Sequence, residues 1–86
     1  MKRIVEDLDC SGMESLLGET VCLWCLNYIY SGKLVRVGGE DVELADAKVV
    51  YETGPLNNDS FADAQPLPNN WFVCRSAIES FGKFHD

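Results

Sequence analysis

The chain has 86 residues, enough for one domain spanning 1–86 and too few for a second core. Its formal net charge of −7, without any run of basic residues, disfavours non-specific binding to nucleic acid or anionic membranes. The net charge does not exclude specific binding of RNA through a local ring of charged residues. No stretch approaches the roughly 18 apolar residues of a membrane span, and the acidic N-terminus lacks the apolar region of a signal peptide. We therefore expect a cytoplasmic domain without a membrane partner.

Residues 1–18 are predicted to be an entry segment that ends in a short helix. Ser11 and Glu14 have the spacing of a capping box, in which each side chain bonds the backbone of the other residue. Gly18 provides a stop signal. The predicted apolar face of this helix consists of Met13, Leu16 and Leu17.

Three strands follow. Residues 20–26 are rich in β-formers and apolar on both faces, which is typical of a strand central to a core or at a subunit contact. Residues 28–37 form the second predicted strand, and Gly32 in its middle permits the sharp bend of a small barrel. A tight turn at 38–41 leads to the third strand, 42–51, whose alternation places Val42 and Leu44 on one face.

The chain then changes character. Residues 53–70 hold all three prolines and several asparagines, a loop composition, with one helical turn conceivable at 60–64. So long a loop in a small domain is usually functional. Residues 71–75 and 77–81 are predicted as the fourth and fifth strands, joined by a tight turn at Arg75 and Ser76.

The cysteines are predicted to be reduced and to serve packing. Cys22 and Cys25 have a CxxC spacing, but on a strand residues three apart point to opposite faces and cannot share a metal. No second CxxC or Cys/His pair completes a zinc site, so we expect neither metal nor cofactor. His85 is the single histidine, so a Ser/His or Cys/His catalytic pair is implausible and we do not expect an enzyme.

The order of these elements resembles the Sm-like family, most closely its divergent bacterial and phage members. The first Sm motif is similar to Tyr30-x-Gly32-x-Leu34 with Val37, Val42-x-Leu44 and Asp46-Ala47. The second is similar to residues 72–78, with Arg75 in place and Ser76 where the family has glycine. The apolar spacing alone also suits other SH3-like barrels.

The resemblance implies an all-β fold, a small and strongly bent five-stranded barrel with a short N-terminal helix. It also implies a closed ring of about five to seven copies, in which strand four pairs with strand five of the next copy. Such pairing covers strand edges that a small open barrel leaves unpaired. The implied subunit interface consists of Trp71, Phe72, Val73, Ala77 and Ile78.

In RNA-binding rings of this family, the turns after strands two and four meet at the pore and hold a base. Arg75 matches the family, whereas Asp41 stands where the family has Asn and Val37 where it has Asp. Asp41 and Arg75 could therefore bind a base or merely neutralise each other as ion pairs around the pore. The implied RNA-binding residues are Gly39, Asp41, Arg75 and Ser76.

Two functional hypotheses follow. The first is a non-enzymatic, homo-oligomeric Sm-like ring that binds single-stranded RNA at its pore. The alternative is a structural or adaptor ring that contacts a protein partner through the acidic loop at 53–70. The net charge favours the second, whereas Arg75 and the fold favour the first.

Overall fold

The computed structural model describes residues 12–55 and 61–84. Within them six antiparallel strands form one sheet in the order β4–β3–β2–β1–β6, with β5 also paired to β3. The only helical elements in this part of the chain are two three-residue 3₁₀ turns, Glu14–Leu16 and Arg75–Ala77. The predicted all-β class is confirmed. The strands are β1 (Thr20–Cys25), β2 (Ile29–Val37), β3 (Asp41–Glu52), β4 (Asp63–Pro66), β5 (Trp71–Cys74) and β6 (Ile78–Lys83).

The strand count differs from the predicted five because β4 lies inside the predicted loop at 53–70. This strand pairs with the second half of β3, whereas β5 pairs with its first half, so both share one edge of β3. The sequence of β4, Asp-Ala-Gln-Pro, has no apolar alternation, and only its backbone pairing makes it a strand. Pro66 is tolerated because β4 is an edge strand. Residues 63 and 64, where we allowed a helical turn, are extended, and residues 56–60 lie outside the described residues.

The sheet is open in the described part of the chain, since no pairing joins β6 to β4 or β5. A closed five-stranded barrel is therefore not what the strand pairing forms. The sheet nevertheless has five positions, because β4 and β5 occupy the same one. The two strands that flank the Arg75–Ala77 turn, β5 and β6, lie at opposite ends of the sheet and each has an outer edge without a paired strand among the described residues.

Alternate side chains of the central strands form the core. Val42 and Leu44 point to the same face, as their spacing predicts, and are fully buried. In β1, Val21 and Leu23 enter this core while Cys22 is buried on the opposite face, so the strand is covered on both sides as predicted. Burying one such aliphatic side chain contributes about 1.5–3 kcal/mol. The core cluster consists of Met13, Val21, Leu23, Leu34, Val42, Leu44, Ala47 and Val73.

The predicted short N-terminal helix is replaced, in its described part, by the 3₁₀ turn Glu14–Leu16. Ser11 of the predicted capping box lies outside the described residues. Gly18 ends the turn with a φ of +88°, a left-handed conformation that glycine adopts without strain. Its N–H donates to the Leu34 carbonyl at 2.7 Å, which pins the turn onto β2 and leaves no room for a longer helix before β1 begins.

Strands β2 and β3 approach each other most closely at Gly32. The pairing shifts by one residue between Ser31 and Lys33, so β3 carries a bulge, and Asp46 within it has a left-handed φ of +52°. A Cβ atom at Gly32 would lie 2.9 Å from the carbonyl oxygen of Ala45 and 3.1 Å from the Cα of Ala47. Backbone atoms cannot move aside cheaply, so only glycine fits there.

Replacing Gly32 with alanine should lower the free energy of unfolding by about 1–3 kcal/mol, because the added methyl group overlaps the β3 backbone. Urea denaturation at matched protein concentrations measures this. Gly39→Ala is the control, since no described atom lies within 4 Å of its Cβ position. Equal stability of the two variants would show that the approach at Gly32 is not tight.

Candidate functional site

The turn between β2 and β3 and the turn between β5 and β6 meet at one end of the sheet. The backbone N–H of Arg75 donates to the Glu40 carbonyl at 2.8 Å, and its side-chain Nη1 donates to the Gly38 carbonyl, also at 2.8 Å. Gly38 in turn donates its N–H to the Asp41 carbonyl, which closes the first turn. We call residues 38–41 and 75–77 together the turn junction. It contains all four residues that the resemblance implies for a pore site.

Arg75 thus acts as a clasp between two chain segments far apart in sequence. Its half-buried side chain satisfies a carbonyl oxygen that the tight turn leaves without a partner in the sheet. A guanidinium has five N–H donors, so this bond leaves others that could reach a carbonyl or a base edge. The hydrogen bond to Gly38 holds the Arg75 side chain in one orientation, as both a structural role and a binding role would require.

Within one subunit, Asp41 pairs with Arg36 and not with Arg75. The Arg36 Nη2 donates to Asp41 Oδ1 at 2.5 Å, and its Nε lies 3.4 Å from Glu43 Oε1. The hydrogen bond that Arg36 donates to Asp41 raises the pKa of Arg36 above its usual range. The guanidinium also lies over the Phe72 ring, 5.6 Å from its centroid. Asp41 is therefore neutralised inside the chain, by Arg36 and not by Arg75.

The other two residues implied for the pore are at the surface. Gly39 and Ser76 are exposed on either side of the Arg75 clasp, and no described atom would contact a Cβ at Gly39. The turn junction therefore presents backbone groups, the Ser76 hydroxyl and the carboxylates of Glu40 and Asp41, while Arg75 and the nearby Arg36 are already bonded within the chain. Such a surface can form hydrogen bonds with a ligand but offers little free positive charge.

The residues implied for the subunit interface divide into three groups. Trp71 and Phe72 expose 36% and 55% of their surface, so their rings are available to another molecule. Ala77 and Ile78 are half-buried. Val73 packs in its own subunit's core with 5% exposure, because it lies opposite Val42 on the inward face of the sheet. Within one subunit the Val73 side chain therefore belongs to the core, and its place in a subunit interface stays a prediction.

The CxxC cysteines lie on opposite faces of β1, as predicted. Cys25 packs against the core cluster, whereas Cys22 is buried on the other face. Burial raises the pKa of the Cys22 thiol to about 11 and also raises the pKa of Cys25. Cys22, Cys25 and Cys74 are free thiols. Within residues 12–55 and 61–84, no three side chains of the metal-binding types come together.

A groove of about 260 Å³ lies between β1 and β6, on the face away from the core cluster. Cys22 and Gly82 line it together with the aromatic rings of Trp24 and Phe84. Sequence analysis missed this groove because it ended the last strand at residue 81, one residue before Gly82. A glycine directly after the β-rich run that ends at Phe81 was the available signal, since it leaves a gap along the strand.

Neither a protein-family model nor a curated protein sequence matches the chain. None of the residues that the structure describes belong to a helix long and apolar enough to cross a membrane. The fold and the site together define a small antiparallel β-domain with a sheet whose two edges no described strand covers, and with a turn junction that Arg75 holds together.

The raised pKa of Cys22 makes its thiol unreactive at neutral pH, because at pH 8 roughly one thiol in a thousand with a pKa of about 11 is ionised. In the native protein, iodoacetamide at pH 8 should label the exposed Cys74 well before Cys22, as measured by peptide mass spectrometry. Labelling of Cys22 should accelerate as the pH approaches 11. In urea, both cysteines should be labelled at similar rates. Similar labelling of both in the native protein at pH 8 would mean that Cys22 is not a packing residue.

Proposed function

We propose that this domain is a non-enzymatic, Sm-like self-assembling module that forms a closed ring of about five to seven copies. The observation that carries the proposal is the pair of strand edges at the two ends of the sheet. In the described part of the chain, β5 pairs only with β3 and β6 only with β1. Both edge strands also expose aromatic rings, those of Trp71, Phe72 and Phe81.

The sheet order supports the Sm-like assignment. The five sheet positions run from β4 and β5, through β3, β2 and β1, to β6, and the Arg75–Ala77 turn joins β5 directly to β6. The resemblance places the second Sm motif in the same turn, between the last two strands. On this assignment β4 and β5 together are the family's fourth strand, interrupted at residues 67–70, and β6 is the fifth.

Assembly through β5 and β6 removes two unfavourable features at once. Unpaired edges present rows of N–H and C=O groups that pair readily with another chain, and exposed aromatic rings favour burial. Contact between β5 of one copy and β6 of the next satisfies both. Because the two edges differ, the contact is heterologous, and copies joined in this way close into a ring or grow as a filament.

The ring's role is structural or adaptor-like, with a protein as its partner. The net charge of −7 repels nucleic acid, and the two arginines near the turn junction are bonded within the chain. The loop at 53–70 keeps its place as the proposed partner contact.

RNA binding is the second candidate, and the turn junction favours it. Gly39 and Ser76 are exposed beside Arg75, which has N–H donors beyond the one given to Gly38. Repeated around a ring, these groups would surround one opening and could hold a base by hydrogen bonds.

Size-exclusion chromatography with light scattering should give a mass several times 9.6 kDa, because the two edges of each copy are covered by neighbours. The mass should stay constant across a range of concentrations if the ring closes, and rise with concentration if the contact grows a filament. A stable monomer in dilute solution would contradict the proposed self-assembly.

A titration with short oligouridine and oligoadenine at low salt separates the two roles of the ring. If RNA binds at the turn junction, Arg75→Ala should weaken binding at least tenfold, since the charged donor is lost at every copy. Arg36→Ala is the charge-matched control and should have less effect, because that arginine pairs with Asp41 and Glu43. No binding by the intact protein would leave the structural role alone.

A further inference from the structure

The groove between β1 and β6 is open because of Gly82. No described atom lies within 4 Å of the position a Cβ would occupy at Gly82, and its backbone is not in the left-handed region. Any residue could therefore stand there, yet the strand has no side chain at this point. Trp24 and Phe84 flank the gap, so its walls are aromatic. An apolar ring from another molecule would fill it.

Strand alternation identifies which ring can reach the groove. Gly82 lies opposite Cys22, on the face away from the core, whereas Phe81 lies opposite the buried Leu23. In β5, Val73 points into the core, so its neighbour Phe72 points away from it. Phe72 and Gly82 therefore belong to the same face of a sheet that continues from β5 of one copy into β6 of the next.

We propose that β5 of one copy pairs antiparallel with β6 of the next, with Phe72 directly opposite Gly82 and its ring in the groove. This inference rests on the proposed self-assembly and specifies its register. An aromatic ring packed across an edge glycine is a known device for fixing the register of a strand pair. The same register places Val73 opposite Phe81, which continues the inward apolar face across the contact.

Charges also match in this register. Trp71 comes opposite Lys83, which forms an exposed ion pair with Glu19 at 3.4 Å, and the ammonium can also approach the indole face. Directly after β5 ends, Arg75 comes opposite the exposed Glu79 in β6 of the next copy. The two edges are therefore complementary in charge as well as in shape.

Neighbouring registers are less favourable. A shift of the pairing by one residue places Phe72 on the core side of the neighbouring copy's sheet and away from the groove. A shift that places Phe72 opposite Ser80 brings the carboxylate of Glu79 opposite Val73 at the core. The opposite shift, with Phe72 facing Phe84, carries Trp71 past the end of β6.

Concentration-dependent light scattering of the full chain tests the contact. Gly82→Val fills the groove without a clash inside its own chain, and Phe72→Ser removes the ring. Both should weaken self-association at least tenfold while the circular dichroism spectrum stays unchanged. Tyr51→Ser is the matched control, because Tyr51 is as exposed as Phe72, at 55%, but lies outside both edge strands. It should assemble like the unmodified protein.

Disulfide cross-linking tests the register. The proposed register puts the native Cys74 opposite Ser80 and leaves Phe72 and Gly82 in place, so the chain carrying Ser80→Cys should form a ladder of linked subunits on oxidation. Its yield should exceed that of the chain carrying Glu79→Cys, which is one residue out of register. The reverse order of yields would overturn the register. If the protein assembles but neither Gly82→Val nor Phe72→Ser weakens it, this inference fails and the proposed ring stands. If the unmodified protein is a monomer, both fail.

Discussion

The fold depends on the close approach of two backbones at Gly32. Because this residue has no side chain, the bulge of β3 around Asp46 packs directly onto β2, and the twelve-residue β3 changes direction there. Its first half can then pair with β5 and its second half with β4. A larger residue at position 32 would push the strands apart and disturb both pairings.

The pairing of β3 with β5 brings the two turns together, and Arg75 holds them. The bond from Arg75 to Gly38 joins segments that are 37 residues apart in sequence, so it orders the chain over a long distance. Asp41 is bonded to Arg36, so the junction is held by bonds within the chain.

Because the domain is small, burial of further surface by assembly would add to its stability. A chain of 86 residues buries only about 60–65% of the surface that it exposes when unfolded, so little stability is in reserve. Several aromatic rings remain exposed on the edge strands, although a core of eight residues is formed. In the proposed ring these rings and the unpaired edges of β5 and β6 would be buried together. The groove at Gly82 would then bind the Phe72 ring of the neighbouring copy.

The sequence by itself determined the features that depend on which side a residue faces. Alternation in 42–51 placed Val42 and Leu44 in the core, and strand spacing separated Cys22 from Cys25. Only the tertiary structure decided which strands and charges meet. It made a strand of Asp63–Pro66, paired Arg36 with Asp41, buried Val73 and opened the groove at Gly82. The physical reason is that periodicity is local, whereas edge pairing, ion pairs and grooves depend on neighbours distant in the chain.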